Sequence, residues 1–126
     1  VTQKMTGFIR FYYATRYSLQ GIRAAYKNEP AFRYESWAAA VMLPLSVLLA
    51  QSGMQLAALV GTVLMVLIFE LINTAIEAVV DRAGTERNEL AGLAKDLGSA
   101  AVFFMLIITA ITWLGVSWDN GLLSFS

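Results

Sequence analysis

Glu70, Asn73 and Glu77 stand at i, i+3 and i+7 where a long apolar run ends. On an α-helix these three side chains share one stripe, and Asp81 carries it one turn further. An ionisable group at bilayer depth costs on the order of 3 kcal/mol on insertion scales, which makes Glu70 a functional-site hypothesis by default. The chain has neither histidine nor cysteine. Carboxylates must therefore carry any acid-base work, and disulfides, thiolate catalysis and thiolate metal sites are excluded. Lys95 and Asp96 add a cation and a further acid a short distance downstream.

The elements that must position these groups follow from composition. With 58% hydrophobic and 14% charged residues in 126, this is the composition of an integral membrane protein. No Asp, Glu, Lys or Arg occurs from Ser36 to Phe69 or from Leu97 to Trp118. The first run is long enough for two passes, with Gln51, Ser52 and Gly53 as a polar turn. Three transmembrane helices are expected, at residues 32–50, 55–79 and 97–118, each near the ~20 residues needed to cross a ~30 Å hydrocarbon core. Pro44 should kink the first. Residues 5–29 read as an amphipathic surface helix in which Phe8, Phe11, Tyr12, Tyr13, Tyr17 and Tyr26 alternate with Arg10, Arg16, Arg23 and Lys27. Pro30 ends it. Residues 81–96 read as a short charged loop with a helical start, and the whole chain, 1–126, as one all-α membrane domain.

Six basic residues, Lys4, Arg10, Arg16, Arg23, Lys27 and Arg33, lie before or at the start of the first span. The other three, Arg82, Arg87 and Lys95, lie between the second and third. The positive-inside rule then puts the N-terminus and the 82–96 loop in the cytoplasm and the C-terminus outside. No apolar core with a small-residue cleavage site follows the N-terminus, as a signal peptide would require. Trp113 and Trp118 read as an outer aromatic belt.

Depth along the second span connects this layout to a reaction. A helix entering near Gln55 and rising about 1.5 Å per residue brings Glu70 to roughly 22 Å and Glu77 to roughly 33 Å. Glu77 would face cytoplasmic water, and Glu70 would lie where inner-leaflet headgroups meet acyl chains. A carboxylate at the depth of Glu70 can take a proton from a lipid hydroxyl, and one at the depth of Glu77 can hold a metal on a soluble phosphate donor. That geometry suggests a lipid kinase. Mg²⁺ takes one or two carboxylates plus phosphate oxygens, and Glu29 at the end of the surface helix can join Glu77 as the second. Lys95 and Asp96 lie at the same level. Neither G-x-G-x-x-G nor a P-loop lysine motif occurs.

The segment Glu70-Leu-Ile-Asn73-Thr-Ala-Ile-Glu77-Ala-Val-Val-Asp81-Arg82, followed by Lys95-Asp96-Leu-Gly98-Ser99, resembles the signature of the prokaryotic diacylglycerol kinase family. Thr6-Gly7-Phe8, Gly21-Ile-Arg23-Ala-Ala-Tyr26, Asn28-Glu29 and Ala31-Phe32-Arg33 extend the resemblance over nearly the whole chain. The resemblance implies a homotrimer of three-span subunits in the bacterial inner membrane, C-terminus periplasmic, that transfers the γ-phosphate of Mg-ATP to diacylglycerol to make phosphatidic acid. It implies Glu70 as catalytic base and Glu29 and Glu77 as metal ligands. Asn73, Lys95 and Asp96 match polar positions around the phosphates and the base. Arg10, Tyr17, Glu86 and Asn88 match ATP positions, Asn88 standing where a histidine is often found. Ser18, Arg23, Arg33, Glu35 and Ser99 match lipid positions, and Gln20 stands where a lysine is common. Sites formed between subunits are expected, and no nucleic-acid partner.

Other readings share parts of this pattern. Undecaprenol also presents a primary hydroxyl at the interface, so an undecaprenol kinase would have much the same Glu70 site. A small proton-coupled exporter would use a membrane glutamate, but would not need Asn73, Glu77, Lys95 and Asp96 at one membrane face. A non-catalytic scaffold would leave the Glu70 stripe without a purpose.

Overall fold

The computed structural model describes residues 6–84 and 86–123, and among them there are four helices and no strand. These are α1 (Gly7–Asn28), α2 (Pro30–Leu49), α3 (Gly53–Ala83) and α4 (Glu89–Asp119). Met5, the expected start of the surface helix, and Lys4 lie outside the described residues. The break between α1 and α2 is a single residue. Glu29 adopts an extended backbone and Pro30 opens α2, where its missing N–H is not needed. The Arg33 side chain folds back to donate to the carbonyls of Tyr26 (3.1 Å) and Lys27 (2.9 Å), two of the acceptors that the end of α1 leaves unpaired. The Trp37 indole donates to the Tyr26 hydroxyl at 2.8 Å, tying α1 to α2 a second time.

α3 and α4 are each long and apolar enough to cross a membrane. Each has 31 residues, about 46 Å at 1.5 Å per residue, so both extend well past a ~30 Å core. The charged stretch 81–96 is accordingly mostly helical. Its non-helical part lies between Ala83 and Glu89, and Lys95 and Asp96 sit in the second turn of α4. The helices run past the expected spans because Asp81, Arg82, Leu90 and Lys95 keep helical geometry outside the charge-free runs. The Asn88 side-chain oxygen starts α4, accepting from the N–H groups of Leu90 (2.9 Å) and Ala91 (3.2 Å). Pro44 lies within α2 without ending it.

α3 is the central helix, packed along α4 and α2, with lighter contact to α1. The core is narrow, made of Leu59, Val63 and Val66 of α3, Val102 and Met105 of α4, Phe32 and Ala39 of α2, and Ala25 of α1. Polar clips supplement it. The Trp113 indole, half-buried, donates to Thr62 Oγ1 at 3.2 Å and so ties α4 to α3. At the end of the bundle away from Glu77, the amides of Gln55 and Asn120 bond each other reciprocally at 3.0 Å. Asn120 Nδ2 also donates to the Leu49 carbonyl at 2.8 Å, which locks the α2–α3 turn to the end of α4.

Replacing Asn120 with Ala removes all of these bonds at once and leaves Leu49 without its donor. A loss of about 1–2 kcal/mol is expected, read as a lower unfolding midpoint in detergent micelles. An unchanged midpoint would show the clip to be energetically idle.

Candidate active site

The mid-to-late part of α3 carries the polar stripe into the bundle. Glu70 and Asn73 are 8% and 7% exposed, and Glu77, one turn beyond Asn73, is half-buried. Asn73 Nδ2 donates to Glu77 Oε1 at 3.2 Å, so the carboxamide orients the carboxylate below it. Its other end, Oδ1, is buried and accepts no hydrogen bond from the described residues. The neighbour there is Gly98 of α4, where a Cβ would collide with Asn73 Oδ1.

Two further glutamates approach Glu70 from the N-terminal half. Glu35, on the second turn of α2, faces the Glu70 carboxyl, and its Oε2 is buried without a partner. Glu29 at the α1–α2 break and Glu77 both lie within electrostatic reach of Glu70. Glu29 also lines a cleft of about 500 Å³ between α1 and α3, together with Ser18, Gly21, Ala25, Leu71 and Thr74. Among the described residues, no cluster of three or more acidic side chains forms a closed cation site. The acids available near Glu70 are therefore Glu29 and Glu77 from two different elements, with Glu35 on the side toward α2.

A second cluster forms where α3 and α4 join. Lys95 Nζ and Asp81 Oδ1 pair at 2.6 Å, bringing the last charge of the α3 stripe onto α4. The hydrogen bond that the Lys95 ammonium donates to the Asp81 carboxylate raises the Lys95 pKa above the ordinary lysine value by favouring the charged form. Glu86, Asn88, Gly92, Asp81 and Lys95 line a cleft of about 320 Å³. Asp96 is exposed beside it.

The remaining expected residues are distributed unevenly. Arg10 and Tyr17 are exposed on α1, Tyr17 stacking on Tyr13, and among the described residues no hydrogen bond or ion pair joins them to the Lys95 cleft. Arg23 is exposed on α1 and Ser99 on α4. Arg33 is occupied by the α1 carbonyls and lies 5.9 Å from the Tyr26 ring centroid. One chain thus assembles the Glu29, Glu35, Glu70, Asn73 and Glu77 group and the Glu86, Asn88 and Lys95 group, but leaves Arg10 and Tyr17 apart. The capping role of Asn88, the anchoring of Arg33 and the contact of Gly98 with Asn73 were not anticipated from sequence. The Asn88-Glu89-Leu90-Ala91 start was a readable cap signal.

A family model described as prokaryotic diacylglycerol kinase matches residues 16–117. A Haemophilus influenzae protein named diacylglycerol kinase is 47% identical over 113 residues, covering 90% of this chain and 96% of that protein. An Escherichia coli K12 protein of the same name is 44% identical over 115 residues, covering 91% and 94%. A Helicobacter pylori protein, also so named, is 36% identical over 113 residues, covering 90% and 88%.

The capping geometry makes a specific prediction about the loop cleft. Asn88→Ala should cost about 1 kcal/mol and increase hydrogen exchange at the Leu90 and Ala91 amides. Unchanged protection at those amides would show that the cap is not what starts α4.

Proposed function

This chain belongs to the prokaryotic diacylglycerol kinase family, and we propose on that ground that it transfers the γ-phosphate of ATP to the hydroxyl of diacylglycerol, making phosphatidic acid. The observation that carries the reading is the Glu70 carboxyl, withdrawn into apolar α3 yet surrounded by Glu35, Asn73 and Glu77. Glu70 is the base. It takes the proton from the lipid hydroxyl as the oxygen attacks the γ-phosphorus in line and ADP leaves from the opposite side. The oxygen donors of Glu29 and Glu77 suit a hard divalent cation that keeps several waters, and two carboxylates are as many as Mg²⁺ ordinarily takes. When bound, Mg²⁺ supplies charge neutralisation on the donor phosphates. Lys95, held by Asp81, adds a fixed positive charge, and Asp96, Glu86 and Asn88 surround the nucleotide with it.

The lipid end takes Ser18, Arg23, Arg33, Glu35 and Ser99, and the nucleotide end adds Arg10 and Tyr17 of α1. The separation of Arg10 and Tyr17 from the Lys95 cleft in one chain supports a homotrimer in which sites complete between subunits. So does α4, where Phe103, Phe104, Ile108, Ile111 and Leu114 are exposed along much of its length. α2 has 20 residues, about 30 Å of helix, and serves as a third span beside α3 and α4, with α1 on the membrane surface. The whole chain is one domain. It lies in the bacterial inner membrane with the α1 side and the α3–α4 connection cytoplasmic and the C-terminus periplasmic, as the basic residues direct.

The deciding assay follows labelled γ-phosphate from Mg-ATP to diacylglycerol and to undecaprenol, side by side in mixed micelles. Labelled phosphatidic acid is expected, with Glu70→Gln lowering kcat about 10²- to 10⁴-fold. Preferential labelling of undecaprenol would replace the lipid, and transfer to neither would favour the exporter. Wild-type turnover by Glu70→Gln would remove Glu70 from the role of base.

A further inference from the structure

We propose that Gly98 is a positioning residue for the metal-binding end of the site: the absence of a Cβ there lets the Asn73 carboxamide hold Glu77 in its working orientation. The inference deepens the reading above and rests on Glu77 being a metal ligand.

Gly98 is buried against α3 and stands opposite Asn73. A methyl group at Gly98 would collide with Asn73 Oδ1 and come within 3.3 Å of its Cγ and 3.7 Å of Ile76 Cδ1. Asn73 has little freedom to move away, being itself 7% exposed and bonded through Nδ2 to Glu77. Rotating the amide by half a turn would point its oxygen at the Glu77 carboxylate and exchange a donor for an acceptor, so the present orientation is the one compatible with the bond. Its consequence is visible at the other end of the amide, where Oδ1 is buried with no donor.

General helix packing does not account for this glycine. Gly7, Gly21, Gly53, Gly61, Gly92 and Gly115, the other helical glycines, have no atom of this chain within 4 Å of where a Cβ would lie. Ser99, Ala100 and Ala101, which follow Gly98, are exposed in the chain. The close approach is confined to Gly98 and aimed at one polar group. Partners that orient a metal ligand from outside typically change metal affinity 10- to 100-fold when altered.

The test uses the full chain in detergent micelles, with Mn²⁺ affinity read from the electron paramagnetic resonance of free Mn²⁺ in the presence of β,γ-methylene-ATP, and KM and kcat measured separately. Gly98→Ala should weaken Mn²⁺ about 10- to 100-fold and raise KM for Mg-ATP, with KM for diacylglycerol unchanged. Asn73→Ala should do the same, and Gly98→Ala added to Asn73→Ala should cost nothing more, because the two act through one bond. Additive losses, or wild-type Mn²⁺ affinity in Gly98→Ala alongside a weakened Glu77→Gln, would overturn the role of Gly98. Normal Mn²⁺ affinity in Glu77→Gln would instead overturn Glu77 as ligand, and the inference with it. Should Gly98→Ala alone fail to fold, the double variant, lacking the collision partner, must fold and bind Mn²⁺ as Asn73→Ala does; its failure would overturn the proposal.

Discussion

Keeping a carboxyl group and a carboxamide inside an apolar helix pair is the constraint on which the rest of this structure depends. Glu70 and Asn73 lie almost wholly inside the bundle, so the neighbouring helices largely set their surroundings, and a neighbour placed differently would change what they can bond. α4 meets this requirement by removing a side chain at Gly98. α2 meets it by presenting Glu35 toward Glu70, which leaves two acids facing each other across a helix interface. The polar stripe of α3 is thus enclosed on one side by a gap and on another by a second acid.

The rest of the fold secures that arrangement from its two ends. The Gln55–Asn120–Leu49 amide clip joins three helix ends far from the glutamates, and the Lys95–Asp81 pair joins α3 to α4 beyond them. Between the two, Thr62 and Trp113 bridge the same helices. With α3 and α4 fastened at both ends and in the middle, their relative register is set, and Gly98 stays level with Asn73. The surface helix is attached by different means: Arg33 and Trp37 of α2 reach back to Tyr26 and Lys27, so Glu29 is carried on a short hinge beside the α3 stripe.

Much of this could be read from residue types alone. The stripe Glu70, Asn73 and Glu77 needed only helical periodicity, and the α1–α2 break needed only Pro30. The Ser52-led turn into α3 follows from a polar triplet between apolar runs. Helix ends were less legible, since hydropathy marks where lipid could end while helical geometry continues through Arg82 and back from Leu90. Asn88 was matched to nucleotide contact by resemblance, and its side-chain oxygen turned out to cap α4. Arg33 was assigned to lipid on the same ground, and its guanidinium is bonded to main-chain carbonyls of α1.

By itself, then, the sequence determined which residues share a helical face, where charge is absent long enough for a membrane crossing, and which acids are available for proton transfer, because these properties are local and repeat with the period of the helix. Tertiary structure decided which acids meet. Glu35 and Glu70 are separated by half a bundle in sequence and face each other only once α2 lies on α3, and Lys95 finds Asp81 only because the α3–α4 connection is short. It also decided that Gly98, one small residue among several, is the one whose missing side chain matters. No periodicity reports the distance between two helix axes, and that distance sets whether a methyl group at Gly98 and the Asn73 carboxamide can coexist.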